Sequence, residues 1–266
     1  MPPKIVHHDT EPPGPCSYLP EQQASLEQMV MMDVTASEFE AMLSRGWRRF
    51  GPVYFRPACQ ACSECVTLRI PTATFSPNRS QRRARAACAR FRVVVGSPKV
   101  DAERLALYHA WHGWREKSRE WQASELTARE YFIQFAFPHP CAREVAWYDD
   151  EAEQGPRLIA IGLCDETYDS WSAAYFFYHP DYAQFSLGTA NVVKQVEIAL
   201  ERGLPHLYLG YRVKGCASLR YKGTFRPHVL LEGRPGPTEE PRWQSVTEPE
   251  PMRPEPPPVP GDKAEE

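Results

Sequence analysis

Residues 144–209 constrain the fold more tightly than any other stretch. Three strand-like runs there are followed by one helix and then a buried-looking strand. Glu144–Tyr148, Leu158–Asp165 and Trp171–Tyr178 combine β-branched and aromatic residues between turn-forming segments. Gln184-Phe185-Ser186-Leu187-Gly188-Thr189 then opens a helix to about Arg202. Gly203 stops that helix, and His206–Leu209 reads as a strand. Helices are expected upstream at Asp101–Arg119 and Thr127–Phe135. Residues 101–232 therefore alternate helix and strand.

Residues 16–100 read differently. Thr35-Ala36-Ser37-Glu38 is a capping box, and Gly46 marks the end of the helix it opens. Strand-like pieces follow at Trp47–Phe55 and Val66–Ile70. Asn78 is placed to cap a helix through Arg90, and Phe91–Val95 reads as a strand. The loop between the first two strands holds Cys59, Cys62 and Cys65, each three residues from the next. An odd number of close thiols cannot all pair with one another. The spacing predicts a soft-metal site, zinc or an iron–sulfur cluster, with Cys16 as the fourth ligand. Cys88 and Cys164 lack such spacing and read as plain thiols.

The ends and the composition set further bounds. No secretory h-region follows Met1, and no apolar run is long enough to span a bilayer. The eight cysteines then read as cytosolic thiols and ligands in a cytoplasmic protein with no membrane partner. From Gly233 onward lie ten of the 27 prolines, with eight acids against four bases, so 233–266 is expected to be a disordered acidic tail. The net charge of −3 gives no overall case for nucleic acid, so any such case must be local.

Several constellations could carry chemistry. Arg79, Arg82, Arg83, Arg85, Arg90 and Arg92 occur without an intervening acid. They form either a solvated helix face or an anion site for RNA phosphates or a carboxylate. Ser186-Leu187-Gly188-Thr189 is a strand-to-helix turn whose free N–H groups suit a phosphate or an oxyanion. Tyr208-Leu209-Gly210-Tyr211, with Cys216, Arg220, Tyr221, Lys222, Phe225 and Arg226, makes a basic, aromatic end suited to a single-stranded nucleic-acid terminus. Trp111, Trp114, Trp121 and Phe132 read as core or groove-wall residues. His109 and His112 lie three apart on a helix but have no evident third metal ligand. No Gly-x-Ser-x-Gly or His-Glu-x-x-His pattern occurs.

Taken together, these motifs resemble the arginyl-tRNA–protein transferase family, which includes bacterial aspartate/glutamate leucyltransferases. The resemblance rests on Cys16-Ser17-Tyr18-Leu19-Pro20, on Arg45-Gly46-Trp47-Arg48-Arg49-Phe50-Gly51, and on Phe55-Arg56-Pro57 running into the cysteines. It continues through Arg79-Ser80-Gln81-Arg82-Arg83, Tyr175-Phe176-Phe177-Tyr178, Ser186-Leu187-Gly188-Thr189, Tyr208-Leu209-Gly210-Tyr211 and Tyr221-Lys222. Departures are Ala190-Asn191 after the glycine turn, Val229 after His228, and the stretch Trp111–Phe137.

The resemblance implies an α+β protein. An N-terminal cysteine-bearing module (14–100) would pack on an acetyltransferase-like (GNAT) catalytic domain (101–232), with the tail at 233–266. It implies transfer of leucine or arginine from aminoacyl-tRNA to the α-amine of proteins beginning with Asp or Glu, which creates an N-degron. The partners are then the 3′ acceptor end of a charged tRNA and proteins with acidic N-termini. Iron–sulfur binding has been ascribed to the cysteines of eukaryotic relatives, but aminolysis of an activated ester requires no cofactor. On this reading Gly188 with Tyr208 or Tyr211 polarises the carbonyl, and Glu197 orients the amine. Arg79, Arg82 or Lys222 meets the acceptor carboxylate, and Arg83, Ser186, Thr189 and Arg220 complete the substrate contacts. An acyl-CoA-dependent N-acetyltransferase is one alternative, weakened by the missing glycine-rich pyrophosphate loop. A non-catalytic, zinc-containing tRNA-binding module is another.

Overall fold

The computed structural model describes residues 3–119 and 126–246, and the side chains of these residues apart from 116–119. The elements run β1 (Lys4–Thr10), β2 (Gly14–Pro15), β3 (Gln23–Ala24), β4 (Leu26–Met32), α1 (Ala36–Leu43), β5 (Arg48–Phe50), β6 (Val53–Pro57), β7 (Val66–Pro71), α2 (Arg79–Ala87), β8 (Arg92–Gly96), α3 (Ala102–Arg119), α4 (Ala128–Tyr131), β9 (Ala142–Asp149), β10 (Arg157–Glu166), β11 (Ser170–Tyr178), α5 (Leu187–Glu201), β12 (His206–Arg212), α6 (Ala217–Arg220), β13 (His228–Leu231) and β14 (Trp243–Val246). None of the described helices is long and apolar enough to cross a membrane.

The architecture is α+β. A four-stranded sheet has the order β1-β4-β6-β5, and an eight-stranded mixed sheet has the order β14-β13-β7-β12-β11-β10-β9-β8. In the larger sheet β11 and β12 are parallel and the other neighbours are antiparallel. One face is covered by α5 and α2, where Ala84, Leu187, Val193, Val196 and Ala199 meet Ile159, Trp171 and Leu207. The other face carries Leu107 and Tyr108 of α3, with Tyr131 and Phe135, over Ile161, Leu163 and Phe177. A third core of Met31, Phe39, Leu43, Trp47 and Tyr54 joins the smaller sheet to Tyr208 of the larger.

Helix α5 is pinned by two polar residues as well as by apolar packing. Asn191 and Gln195, four apart and so on one face, are both buried. They accept hydrogen bonds from the indole N–H groups of Trp147 (3.1 Å) and Trp171 (2.8 Å). Gly162 lets them approach, since a Cβ there would lie 2.9 Å from Asn191 Oδ1. The departure at Asn191 is thus structural.

The division of the chain differs from the sequence expectation at three places. β7 pairs with β12 on one side and β13 on the other, and β8 pairs with β9, so the larger sheet takes strands from both sides of residue 100. Leu68 and Ile70 of β7 are fully buried in that sheet, which fixes the strand there. β1 pairs with β4 ahead of residue 16, where the sequence suggests no element; every β1 residue is exposed, so no apolar pattern betrays it. The segment from Gly233 does not begin as a tail: Trp243–Val246 extends the larger sheet through β13. Trp243 anchors it by stacking with Arg69, 3.9 Å from guanidinium carbon to ring centre. Residues 247–266 and Trp121 lie outside the described residues.

The two sheets meet along a polar seam. Arg49 of β5 forms a buried ion pair with Asp165 of β10. The Tyr54 hydroxyl lies 3.0 Å from His139 Nε2, and His139 Nδ1 accepts from the Cys141 N–H at 3.1 Å. Nδ1 is therefore the unprotonated nitrogen. Burial, together with the Arg49 charge, pushes the His139 imidazolium down to about 3.

Two outcomes test this seam. Gly51 turns β5 into β6 at φ +54°, and a Cβ there would lie 1.9 Å from the Ile133 carbonyl oxygen. Gly51→Ala should cost about 3 kcal/mol or more and lower Tm by roughly 6–12 °C. Gly203→Ala, also at positive φ but with nothing within 4 Å, should lower Tm far less. For His139, the unfolded chain takes up a proton below its ordinary value of 6.5 and the folded chain does not. Stability should therefore fall as pH drops from 6.5 towards 3. Thermal melts across that range should show a smaller acid-side loss for His139→Gln, measured from its own Tm at pH 7.

Candidate active site

β11 and β12 pair only where Ser170–Ser172 meets His206–Tyr208. Beyond that, β11 continues to Tyr178 against β10, and β12 continues to Arg212 against β7. The parallel strands therefore diverge towards their C-terminal ends. Helix α5 connects them and presents its N-terminus at the open end. Ser186 caps it in the left-handed region (φ +55°) without a side-chain capping bond, and its carbonyl accepts from the Thr189 and Ala190 N–H groups. The Leu187 and Gly188 N–H groups head the helix, where the first turn leaves donors without intrahelical partners. Gly188 packs beside Phe176 of β11; a Cβ would lie 3.8 Å from that ring, an ordinary contact.

An aromatic wall continues from Phe176. Its ring centre lies 5.8 Å from that of Tyr178, which in turn lies 4.2 Å from Trp111 of α3. Trp114 packs on Trp111 at 5.3 Å and is partly exposed. His112 Nε2 meets the Tyr175 hydroxyl at 2.9 Å, and His109 Nε2 meets the Leu126 carbonyl at 3.0 Å. Phe132 is exposed rather than core. Three acids of β10 and of the turn after β11 are committed to cations. Asp165 pairs with Arg49, Glu166 with Arg143 and Arg202, and Asp181 with Arg157 and His179.

The opposite lip is β12. Its register slips between Tyr208 and Gly210, and Gly210 takes φ +81°. The extra residue of this bulge turns Tyr208 and Tyr211 to the same side, although they are three apart. β5 lies across the divergence. Its Phe50 faces Tyr175 of β11 with ring centres 6.2 Å apart, and Arg48, two residues away on the same strand face, lies over Tyr208 and Tyr211 at 5.3 and 5.6 Å. Lys222 reaches the same place from the Tyr221–Thr224 turn, so that a Cβ on Gly210 would lie 3.2 Å from its Nζ. Burial and the Arg48 charge bring the Lys222 ammonium down to about 8, opposed by Cys216 and Cys65.

Some of the residues expected to act here do not meet. The Tyr211 hydroxyl is already spent as a donor, whereas that of Tyr208 is met as an acceptor. Tyr211 donates to the Gly46 carbonyl at 2.8 Å, and Tyr208 receives Arg69 Nη1 at 3.3 Å. Burial raises both hydroxyls, Tyr208 to about 12. Glu197 does not face the site either, being held by Arg85 (2.7 Å) and Lys194 (3.5 Å). Arg79, Arg82 and Arg83 stand exposed on α2, whose buried face is Gln81 and Ala84. Gln81 Nε2 ties α2 to the Thr224 carbonyl at 3.2 Å, so this arginine face borders the Lys222 turn. Arg220 ends α6, just before that turn, and is half-buried. Two cavities, about 680 and 630 Å³, lie elsewhere; neither is lined by Gly188, Lys222 or Arg48.

The four N-terminal cysteines gather at one end of the molecule. Burial and the Cys59, Cys16 and Cys62 sulfurs push the Cys65 thiol up to about 12, with Arg234 opposing. Four thiols are a fitting donor set for zinc or an iron–sulfur cluster, but their arrangement is not. Among the described residues no group of three or more His, Cys, Asp or Glu side chains is placed to hold a metal ion. The loop is braced instead by Arg234, which donates to the Cys59 and Cys62 carbonyls at 2.7 and 2.6 Å. The Ser25 N–H lies 3.5 Å from Cys59 Sγ. Sequence patterning misses Arg48, Arg69, Arg234 and Trp243 as residues of this region. The one visible signal is Arg48 and Phe50 at strand spacing within the Arg45–Gly51 run.

The chain is similar along most of its length to known proteins. The family described as arginine-tRNA-protein transferase matches through its N-terminus at residues 14–83 and through its C-terminus at residues 103–232. The aspartate/glutamate leucyltransferase of Helicobacter hepaticus is 30% identical over 230 residues, spanning 86% of this chain and 93% of that protein. The protein of the same name from Pseudomonas aeruginosa (strain UCBPP-PA14) is 34% identical over 236 residues, spanning 88% and 94%. The crystal structure of FemX aligns with 70% of this chain and 63% of its own at a TM-score of 0.44 and 8% identity.

If Arg234 braces the cysteine loop, Arg234→Ala should speed modification of the Cys59, Cys62 and Cys65 thiols by an aromatic disulfide several-fold. Peptide mapping would locate the label. An unchanged rate would remove Arg234 from this role.

Proposed function

The chain belongs to the arginine-tRNA–protein transferase family, and from that premise we propose that it moves leucine from leucyl-tRNA to the α-amine of proteins beginning with Asp or Glu. The observation that carries leucine is the aromatic wall of Phe176, Tyr178, Trp111 and Trp114 beside the head of α5. An arginyl side chain would meet a like charge there, since the Arg115 guanidinium lies over the Trp111 ring at 5.2 Å. The names of the relatives point the same way. The β11–α5–β12 unit, with its diverging strands, supports reading the larger sheet as an acetyltransferase-like domain.

The chemistry is aminolysis of an activated ester. The acceptor amine has an ordinary pKa near 8, so an appreciable fraction is neutral at pH 7. Its nitrogen attacks the ester carbonyl, the N–C bond forms, and the C–O bond to the tRNA ribose breaks. The proton lost by the amine ends on the released ribose hydroxyl. The Leu187 and Gly188 N–H groups are the donors that stabilise the oxyanion of the tetrahedral intermediate. Alignment of the two bound ends supplies roughly 7–11 kcal/mol of barrier reduction. Lys222 attracts the acidic side chain of the acceptor, and the exposed Arg79, Arg82 and Arg83 face meets tRNA phosphates. No step passes through a metal at Cys16, Cys59, Cys62 and Cys65.

Transfer assays with tRNAs charged with leucine, arginine or phenylalanine, and peptides beginning with Asp, Glu, Lys or Ala, test this assignment. Leucine should move onto the Asp and Glu peptides. Preferential transfer of arginine would overturn the donor assignment. Lys222→Ala should raise KM for the peptide and leave KM for leucyl-tRNA unchanged. Changing Arg79, Arg82 and Arg83 together to Ala should weaken tRNA binding and flatten its salt dependence by about one unit of slope per lost phosphate contact. An unaltered salt slope would remove α2 from the tRNA interface.

A further inference from the structure

Arg48 is a cation buried without an ion-pair partner. It is 6% exposed, and none of the described acids lies within ion-pairing distance. Glu40 and Asp165 are near enough to act on its charge. Glu40, however, is taken by the Thr167 and Ser170 hydroxyls, and Asp165 by Arg49. Arg48 Nη1 donates to the Trp47 carbonyl at 2.7 Å. Nε and Nη2 are buried with no partner. An unsatisfied buried donor costs about 1–3 kcal/mol, and more when it belongs to a charged group.

The identity of the two orphaned nitrogens is informative. Nε–H and Nη2–H form one straight edge of the guanidinium, the edge that holds a carboxylate by two parallel hydrogen bonds. The same molecule shows that edge filled. Arg92 donates from Nε and Nη2 to the two oxygens of Asp150 at 2.7 and 2.8 Å, and Arg104 uses the same two nitrogens on Glu144. In Arg48 the Trp47 carbonyl fixes Nη1, and the Tyr208 and Tyr211 rings lie within 6 Å of the guanidinium carbon. The orientation is set, and no acceptor among the described residues meets the carboxylate edge. Arg48 lies at the divergence of β11 and β12, beside the half-buried Lys222.

We propose that Arg48 is a specificity-determining residue that reads the acceptor's first side chain, taking its carboxylate as a side-on, two-bond pair on Nε and Nη2. This rests on the acceptor reading given above. Lys222 supplies a point charge that attracts any anion, whereas the planar edge of Arg48 demands two coplanar oxygens. Asn and Gln offer only one oxygen and should be rejected. The unmet donors of Arg48 are then a cost of the unliganded protein that the correct acceptor removes, which converts recognition into affinity.

The test compares peptides that differ only in the first residue, Asp against Asn and Glu against Gln, with leucyl-tRNA as donor. The wild-type protein should prefer each acid over its amide. In Arg48→Lys, which keeps the charge and loses the edge, kcat/KM for the acidic peptides should fall at least about 30-fold. The rate with the amide peptides and KM for leucyl-tRNA should hold, so the acid-to-amide ratio collapses. A ratio kept in Arg48→Lys overturns the role of Arg48 while leaving the acceptor reading intact. A wild-type protein with no acid preference overturns both. Should Arg48→Lys fail to fold, side-chain Nε–H resonances of the ¹⁵N-labelled wild-type protein decide. One exchange-protected arginine signal should shift with the Asp peptide and not with the Asn peptide. Absence of that shift overturns the proposal.

Discussion

The short parallel contact between β11 and β12 organises the rest of the molecule. Two parallel strands joined by a helix normally pair along their length. Here three residue pairs suffice before β11 follows β10 and β12 follows β7. The bulge before Gly210 takes up the change of direction on β12. A gap of this kind leaves backbone polar groups without a ladder, which an interior tolerates only where something else meets them. α5 brings the donors at its N-terminus to the open end, and β5 crosses it with Phe50 on one strand and Arg48 on the other. The smaller sheet is thus a wall of the site rather than an appendage.

Charge placement along β5 shows how that wall is built. Arg48 and Arg49 are neighbours in sequence, are equally buried, and point to opposite sides of the strand. Arg49 finds Asp165 and closes the seam between the two sheets. Arg48 faces two tyrosine rings, which offer the negative faces of their π-systems but no hydrogen-bond acceptor. The first arrangement is a finished structural pair. The second retains a cation at a cost that packing alone does not explain, and a substrate carboxylate does.

Local structure is legible in the sequence wherever it is written in local chemistry. Thr35, Asn78 and Thr127 each make a capping box with the residue three positions on, and each opens a helix as patterned. The three strands and the helix between residues 142 and 201 follow from apolar runs that end in turns. β1 is illegible because an exposed edge strand has no buried face to pattern. β14 is hidden because one tryptophan, stacked on Arg69, holds it within a proline-rich segment. The site divides along the same line. Gly188 and Lys222 lie in recognisable runs, so they can be named. The hydrogen bonds of Tyr208 and Tyr211, and the pairing of Glu197, depend on partners far away in the chain, among them Gly46, Arg69 and Arg85. No local pattern reveals such partners.

The cysteines follow from the same geometry. Their loop joins β6 of the smaller sheet to β7 of the larger, so it is the hinge between the wall and the strand beside β12. Cys65 lies next to Val66, the residue that pairs with Arg212 at the end of β12. Arg234, beyond β13, grips the Cys59 and Cys62 carbonyls and so ties the loop to the far edge of the larger sheet. A displacement of this loop would therefore be felt through β7 at β12. The thiols need take no part in the acyl transfer to matter for it. Their place in the chain ties the loop to the strand that borders the gap.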